Sequence, residues 1–227
     1  MSFIVKNTTI HSAFDLVCPD SCRGCGTLGE SLCWCCKNDI ILEHESFCPN
    51  CKRAAIGGYC KECGLPPCFM VGWRDEVVGR LVHDFKYESS RNIGKVLAEL
   101  FDAVLPEIDG DVFVVPLPTA FRHIRLRGFD HTLLIARRLA KLRQYKVSRL
   151  LVREKDTVQV GANREARMVQ APNAYRVEGK IRPDATYLLI DDVWTTGSSM
   201  KAAIKKLQHA GASKIAVGIL AVNRVAK

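Results

Sequence analysis

Two adjacent carboxylates followed by a cluster of hydroxyl side chains are the residues of this sequence best suited to chemistry. Asp191 and Asp192 come directly after the apolar run 187–190. The residues that follow are hydroxyl donors around one glycine: Thr195, Thr196, Gly197, Ser198 and Ser199. Backbone N–H groups at a helix start, helped by hydroxyls, bind phosphate, whereas an ionised carboxylate only accepts hydrogen bonds and suits sugar hydroxyls. The pattern therefore predicts a site for a ribose 5-phosphate.

A strand and a helix must position these residues. The run 187–190 has the length and character of a buried parallel strand. Apolar residues then recur at helical spacing from Met200 to Leu207, and Gly211 ends the helix. The predicted unit is thus strand, acidic pair, hydroxyl loop and helix. The alternative is an ordinary strand–turn–helix in which the hydroxyls only cap the helix.

A second group of candidate ligands is basic. The run 111–118 predicts a short strand that leads into a loop over 121–130, and a helix is predicted over 130–143. Guanidinium groups suit pyrophosphate oxygens, and open α/β sheets bind ligands where strands end. We therefore expect Arg125 and Arg127 to contact a pyrophosphate, the alternative being a solvated basic surface.

All eleven cysteines lie between Cys18 and Cys68, and eight of them form four Cys-x-x-Cys pairs. This spacing predicts two tetrahedral Zn²⁺ sites, because a reducing cytosol favours metal over disulfides. The simplest pairing is sequential, with an interleaved pairing left open and a free-thiol cluster as the alternative. The two predicted sites are Cys22, Cys25, Cys33 and Cys36, then Cys48, Cys51, Cys60 and Cys63. Cys18, Cys35 and Cys68 are left over.

Length and composition limit the remaining choices. A chain of 227 residues accommodates a zinc-binding module over 1–68 and an α/β domain over 69–227. The formal net charge of +9 permits a polyanionic partner or an anionic substrate. No run has the length of a membrane span, and the N-terminus does not resemble a signal peptide. We expect a cytoplasmic protein without membrane insertion.

The rest of the chain predicts the remaining elements. Apolar spacing indicates helices over 75–87 and 91–105. Lys86 and Tyr87, at the end of the first, are candidates for a general base, but a position on the helix-end surface is the favoured interpretation. Strands are expected over 146–152 and 215–222. The polar segment 154–173 is expected to be either a lid over the site or a mobile surface loop. Trp34 and Trp73 are expected to be buried rather than available for base stacking.

The stretch from Leu188 to Ser199 resembles the phosphoribosyl pyrophosphate (PRPP) motif of type I phosphoribosyltransferases. Further stretches along the chain resemble the ComF/GntX-like family, which joins an N-terminal zinc module to such a domain. They are Cys60–Pro66, Leu81–Tyr87, Val115–Pro118, Arg125–Asp130 and Gln159–Arg167. The chain departs from that family at Asp130-His131, where Asn-Gln is usual, and at Trp194 and Ser199, where small aliphatic residues and Thr are more usual.

The resemblance implies an α/β fold with a parallel sheet flanked by helices, like that of type I phosphoribosyltransferases, and a small zinc-ribbon-like module before it. It implies that Asp191 and Asp192 hold the ribose hydroxyls as the candidate catalytic residues. Thr195 to Ser199 would hold the 5-phosphate, and Mg²⁺ would bind with PRPP.

Two functions are compatible with these features. The first is a PRPP-binding phosphoribosyltransferase-like protein of DNA uptake that transfers a phosphoribosyl group to an unknown acceptor with release of pyrophosphate. The second is a non-catalytic, single-stranded-DNA-binding competence protein whose PRPP site is regulatory or structural. The partners implied are PRPP, single-stranded DNA, and a DNA-uptake helicase or other competence protein.

Overall fold

The computed structural model describes residues 20–87, 91–154 and 174–224. Cys18 and positions 155–173 of the predicted lid lie outside these ranges, as does the N-terminal segment. The elements are, in order, α1 (Trp34–Leu42), β1 (Cys68–Trp73), α2 (Val77–Tyr87), α3 (Arg91–Val104), β2 (Val112–Pro116), α4 (Phe121–Arg127), α5 (His131–Arg143), β3 (Lys146–Val147), β4 (Leu151–Arg153), β5 (Tyr175–Val177), β6 (Thr186–Trp194), α6 (Ser198–His209) and β7 (Lys214–Val222).

A five-stranded parallel sheet in the order β1-β7-β6-β2-β3 forms the centre of the fold. β6 lies between β2 and β7, which explains why its first residues are apolar without alternation. β4 and β5 form a separate antiparallel pair. The predicted α/β class, a parallel sheet flanked by helices after a cysteine-rich segment, is confirmed.

The two faces of the sheet bury different helices. Successive side chains of a strand point to opposite faces. Leu188 and Ile190 of β6 therefore join the core formed with α2, α3 and α5, whereas Leu189 joins the core formed with α6 and the β4–β5 pair. This alternation decides where the residues at the end of β6 point.

The chain segments that follow the adjacent strands β2 and β6 lead to strands on opposite sides of this pair in the sheet. The chain leaves β2 through α4 and α5 toward β3, and it leaves β6 through α6 toward β7. A crevice opens where such connections diverge, outside the carboxyl ends of the two strands. The fold therefore places its ligand crevice between the ends of β2 and β6.

Several predicted boundaries were wrong. The strand expected over 146–152 is divided, because β3 joins the large sheet while β4 pairs with β5. The expected loop over 121–130 contains α4, which ends at Gly128 with φ 78°. β6 continues beyond Ile190 through both aspartates to Trp194.

The cysteine-rich segment holds one helix that the apolar pattern did not predict. α1 buries none of its residues, and Cys33 serves as its N-cap by accepting a hydrogen bond at 3.5 Å from the N–H of Cys36. β1 begins at Cys68 and pairs with β7. The division into domains 1–68 and 69–227 stays a prediction, and its boundary falls inside β1. Among the described helices, none combines the length and the apolar character that crossing a bilayer requires.

Candidate functional site

A cleft of about 230 Å³ lies at the carboxyl ends of β2 and β6. The two strands are joined there by a 2.9 Å hydrogen bond from the N–H of Leu117 to the carbonyl of Ile190. The lining combines acidic, basic and hydroxyl groups. Its residues are Lys86, Leu117, Pro118, Thr119, His123, Arg127, His131, Thr132, Arg153, Tyr175, Asp191, Asp192 and Ser199.

Asp191 and Asp192 point to opposite faces of the sheet because they are neighbours on β6. Asp192 continues the Leu188–Ile190 side and reaches α2 and α5, where its Oδ2 lies 2.6 Å from Lys86 Nζ and also contacts Nε2 of His131. Asp191 stands on the side of α6, and its Oδ1 accepts a 2.9 Å hydrogen bond from the N–H of Asp192. Asp192 is 8% exposed, and Asp191 is half-buried.

The two carboxyl groups differ in protonation behaviour. Burial, followed by the negative charge of Asp192, raises the pKa of Asp191 well above its usual range. Burial also acts to raise the pKa of Asp192, but the hydrogen bond from His131 and the charge of Lys86 outweigh it and lower that pKa. One carboxylate is therefore held ionised by its partners, while its neighbour binds a proton more readily.

Lys86 lines the cleft, so the favoured expectation that it lies on the surface was wrong. Its side chain is only 17% exposed, because the last turn of α2 ends over the cleft beside Asp192. The neighbouring Tyr87 is 59% exposed, and the guanidinium of Arg127 lies 5.4 Å from the centroid of its ring.

The unusual pair Asp130-His131 has a structural role at the start of α5. Asp130 is the N-cap, since its Oδ1 accepts from the N–H of Leu133 at 3.1 Å and also from the hydroxyl of Thr119 at 3.0 Å. His131 is 5% exposed and lies between Asp192 and Arg127. The departure from the family pattern was the only sequence signal for this residue.

The structure separates the two arginines that were expected to act together. Side chains two positions apart on a helix diverge by about 200°, and both residues lie on α4. Arg127 lines the cleft, whereas Arg125 is exposed and is not among the described lining residues. His123 and Arg153, neither of which was singled out from the sequence as a ligand, line the cleft as well.

The hydroxyl loop joins β6 to α6. Gly197 is the N-cap of α6 with φ 74°, and a Cβ there would lie 2.1 Å from Cζ2 of the buried Trp194. The loop therefore requires glycine both for its backbone and for its contact with the indole. All four hydroxyl residues are exposed, and Ser199 lines the cleft, whereas Thr195, Thr196 and Ser198 are not among its described lining residues. Thr196 Oγ1 accepts a 3.4 Å hydrogen bond from the N–H of Ser198.

The structure brings the eight predicted metal ligands together in two groups. They are Cys22, Cys25, Cys33 and Cys36, then Cys48, Cys51, Cys60 and Cys63, with the sulfurs of each group within 4.8 Å of one another. A tetrahedral zinc site with Zn–S bonds of about 2.3 Å separates its sulfurs by about 3.8 Å. Cys25 and Cys33 sulfurs are 3.7 Å apart, and Cys51 and Cys60 sulfurs 3.6 Å apart. Both groups therefore fit Zn²⁺.

Backbone donors favour the thiolate form of Cys22 in the first group. Burial acts to raise the pKa of Cys22, but N–H groups of Cys33, Cys25 and Gly24 outweigh it and lower that pKa to about 6. A Cβ on Gly24 would lie 2.5 Å from the sulfur of Cys36, so the turn leaves no room for a side chain.

Two further cysteines lie outside both groups. Cys35 is exposed on α1. Cys68 is buried in β1, where burial raises the pKa of its thiol to about 12. The structure therefore gives neither residue a place among the metal ligands.

The first cysteine group is tied to the helix that carries Lys86. Arg23 lies within the Cys22–Cys25 turn, and its Nε donates to Oδ2 of Asp84 at 2.8 Å. Asp84 lies on α2 two residues before Lys86. The Nε of Arg80, on the same helix, donates to the carbonyl of Arg23 at 3.0 Å. The cysteine-rich segment thus packs directly against one wall of the cleft.

Comparison with known proteins places the chain beside one curated relative. No protein-family model matches it. The chain is 25% identical over 200 residues to the competence protein ComFC of Streptococcus pneumoniae (strain ATCC BAA-255 / R6), covering 81% of this chain and 84% of that protein. This similarity confirms the resemblance to the ComF/GntX-like family that the motifs indicated.

Solved structures with weaker likeness include three enzymes. The allosteric regulatory enzyme of purine biosynthesis is 16% identical with a TM-score of 0.41, covering 61% of this chain. Glutamine PRPP amidotransferase from B. subtilis is 15% identical with a TM-score of 0.40 and the same coverage. The chain spans only 30% of each of those proteins. A hypoxanthine phosphoribosyltransferase from Staphylococcus aureus is 11% identical with a TM-score of 0.30, covering 63% of this chain and 61% of that one.

Proposed function

We propose that this chain, as a relative of the competence protein ComFC, binds PRPP together with Mg²⁺ in the cleft at Asp191 and Asp192 and acts in DNA uptake. The observation that carries the proposal is the meeting of three kinds of group in one crevice. A carboxylate pair, a hydroxyl at the start of α6 and a guanidinium from α4 all line it. A sugar that bears both a phosphate and a pyrophosphate requires those three kinds of group.

Each group has an assigned partner on PRPP. Asp191 and Asp192 accept hydrogen bonds from the ribose hydroxyls, and the loop from Thr195 to Ser199 holds the 5-phosphate beside the α6 N-terminus. Arg127 holds the pyrophosphate. Arg125 takes no part, because its side chain stands away from the cleft.

In turnover, an acceptor nucleophile bonds to C1 of the ribose as the bond from C1 to the pyrophosphate oxygen breaks. The pyrophosphate leaves with the bonding electrons, and Mg²⁺ bound with PRPP would neutralise the charge that develops on it. The protein contributes positioning of ribose and phosphates and a preformed positive surface around Arg127 and Lys86. The acceptor is left open.

Calorimetric titration of the zinc-loaded protein with PRPP and Mg²⁺ tests the proposal. The test variant is Asp191→Asn combined with Asp192→Asn, and the matched control is Asp184→Asn, which alters an exposed carboxylate outside the cleft. We expect saturable binding by the wild type and the control and none by the double variant. A folded, zinc-loaded wild type that does not bind PRPP would exclude this function. Release of pyrophosphate on addition of an acceptor would separate an enzyme from a binding protein.

One observation favours the second candidate, a non-catalytic protein that binds single-stranded DNA. Trp34 on α1 was expected to be buried, but it is 72% exposed. An exposed indole offers a stacking face for bases. Trp73 meets the expectation of packing, because its ring stacks on Phe47 with centroids 3.9 Å apart.

The DNA candidate is tested by measuring oligonucleotide affinity at several salt concentrations. Trp34→Ala should weaken binding about tenfold if a base stacks there. The control is Leu42→Ala, because Leu42 is an exposed apolar residue of the same helix without an aromatic face. Equal affinity of the two variants would remove Trp34 from any DNA surface.

A cytoplasmic location and contact with a DNA-uptake helicase or another competence protein belong to the same proposal.

A further inference from the structure

Four side chains form a continuous chain of contacts across the cleft. Nη1 of Arg127 lies 3.0 Å from Nδ1 of His131. Nε2 of His131 contacts Oδ2 of Asp192, and Lys86 Nζ lies 2.6 Å from the same oxygen. The chain joins a residue assigned to the pyrophosphate with one assigned to the ribose, and His131 is its only link between the two within the described residues.

The contact with Arg127 decides which ring nitrogen of His131 carries a proton. A guanidinium has hydrogen-bond donors and no acceptor. Nδ1 must therefore accept, so it carries no proton while this contact is made. The remaining nitrogen, Nε2, then holds the hydrogen and faces Oδ2 of Asp192 in contact with it. Because both nitrogens of His131 face fixed partners and the ring is 5% exposed, its orientation has little freedom.

We infer that His131 is a positioning residue, held by Arg127 as the neutral Nε2–H tautomer, that orients Asp192 for the ribose hydroxyls. The ribose role rests on the proposed function. The ammonium group of Lys86 contacts Oδ2 of Asp192, the same atom that His131 contacts. Since Lys86 and His131 both lie against Oδ2, Oδ1 is the oxygen left to accept a hydrogen bond from the sugar.

This assignment also explains how His131 replaces the glutamine that is usual in the resembling family. A glutamine amide offers one carbonyl acceptor and an NH₂ donor. The neutral Nε2–H imidazole offers one acceptor toward Arg127 and one donor toward Asp192, which is the same pair of functions. A protonated imidazole would present two donors and would oppose the guanidinium. Histidine in place of glutamine therefore offers one acceptor toward Arg127 and one donor toward Asp192 only when the imidazole is neutral.

The experiment combines nuclear magnetic resonance with PRPP titration. In protein labelled with ¹⁵N-histidine and free of ligand, the His131 resonances are assigned by their loss in His131→Gln. At neutral pH we expect a protonated Nε2 and an unprotonated Nδ1, and we expect this pattern to be lost in Arg127→Ala. PRPP affinity should stay within about threefold of wild type in His131→Gln and fall at least about tenfold in His131→Ala. Thermal melts check that each variant is folded.

Each outcome decides between the alternatives. A cationic ring or an Nδ1–H tautomer in the free protein would overturn the inference, as would a glutamine variant that binds PRPP as weakly as the alanine variant. A merely structural histidine would show no rescue by glutamine over alanine in PRPP binding at equal stability. A wild type that shows the expected tautomer but does not bind PRPP would overturn the proposed function and the ribose role together, while the hydrogen-bond assignment would stand.

Discussion

Lys201 in the first turn of α6 donates from Nζ to Oδ1 of Asn50 at 2.6 Å, which joins the hydroxyl-loop helix to the second cysteine group. The same asparagine donates from Nδ2 to the sulfur of Cys63 at 3.3 Å. Since Arg23 makes the corresponding link from the first group to α2, each cysteine group supports one wall of the cleft. The cysteine-rich segment therefore supports the site from two sides.

Removal of the Lys201 contact should loosen this support. We expect Lys201→Ala to lower the free energy of unfolding by about 0.5–1 kcal/mol, because one charged hydrogen bond at a partly exposed place is lost. Lys205→Ala is the control, since Lys205 is exposed on the same helix. Urea denaturation of zinc-loaded protein measures both. Equal stability of the two variants would mean that the Asn50 contact contributes nothing.

Metal analysis distinguishes ligands from spare thiols. Wild type should bind two Zn²⁺ per chain, and Cys36→Ser or Cys63→Ser should each bind one, because each removes a sulfur from one group. Cys35→Ser should keep two, since Cys35 lies outside both groups. Elemental analysis after gel filtration gives the counts. If Cys36→Ser kept two ions and Cys35→Ser lost one, Cys35 rather than Cys36 would be the fourth ligand of the first group. Chelation should unfold the segment, because metal supplies its folding energy.

Replacing each aspartate of the acidic pair by asparagine should change the free energy of unfolding in opposite directions. The raised pKa of Asp191 means that the folded state binds more protons than the unfolded state. This group therefore makes the protein less stable as the pH rises above the ordinary pKa of an aspartate. Asp191→Asn should therefore stabilise the free protein at neutral pH, on the order of 1 kcal/mol. The lowered pKa of Asp192 contributes stability that is present above about pH 4 and is lost as pH falls.

Asp192→Asn should destabilise the protein by about 1–3 kcal/mol, because it leaves Lys86 largely buried without its charged partner. Urea denaturation of the two single variants between pH 4 and pH 8 gives both signs. The assignment fails if both variants stabilise, or if the stability of Asp191→Asn keeps the pH dependence of the wild type.

Gly197 should be the least replaceable residue of the hydroxyl loop. Gly197→Ala forces a left-handed backbone on alanine and drives its Cβ into the ring of Trp194, so we expect a loss of about 2–4 kcal/mol. Gly211→Ala is the control, because Gly211 has φ 100° but open space around a Cβ. Thermal denaturation followed by circular dichroism measures both. Similar losses would show that Trp194 moves aside without penalty.

The sequence predicted the succession of strand, acidic pair, loop and helix around β6 because this unit is local. The apolar run, the acidic pair and the hydroxyl loop are adjacent in the chain, and local patterns carry that information. The partners of Asp192 were missed because Lys86 and His131 come from other helices that only the parallel sheet brings together. α1 was missed because its residues do not form a buried apolar face and because its N-cap is a cysteine. Arg125 was misplaced because a short helix replaced the expected loop.

The way in which the cysteine-rich segment enters the sheet limits how this protein can be recombined. The N–H of Cys68 bonds to the carbonyl of Gly58 at 2.9 Å, and the carbonyl of Pro67 accepts at 2.8 Å from the N–H of Val217 on β7. The segment and the sheet thus share backbone hydrogen bonds at the strand that begins the fold. A chimaera that exchanges the N-terminal part for that of a relative must carry positions 58–73 as one block, so we expect both parts to be inherited as a unit.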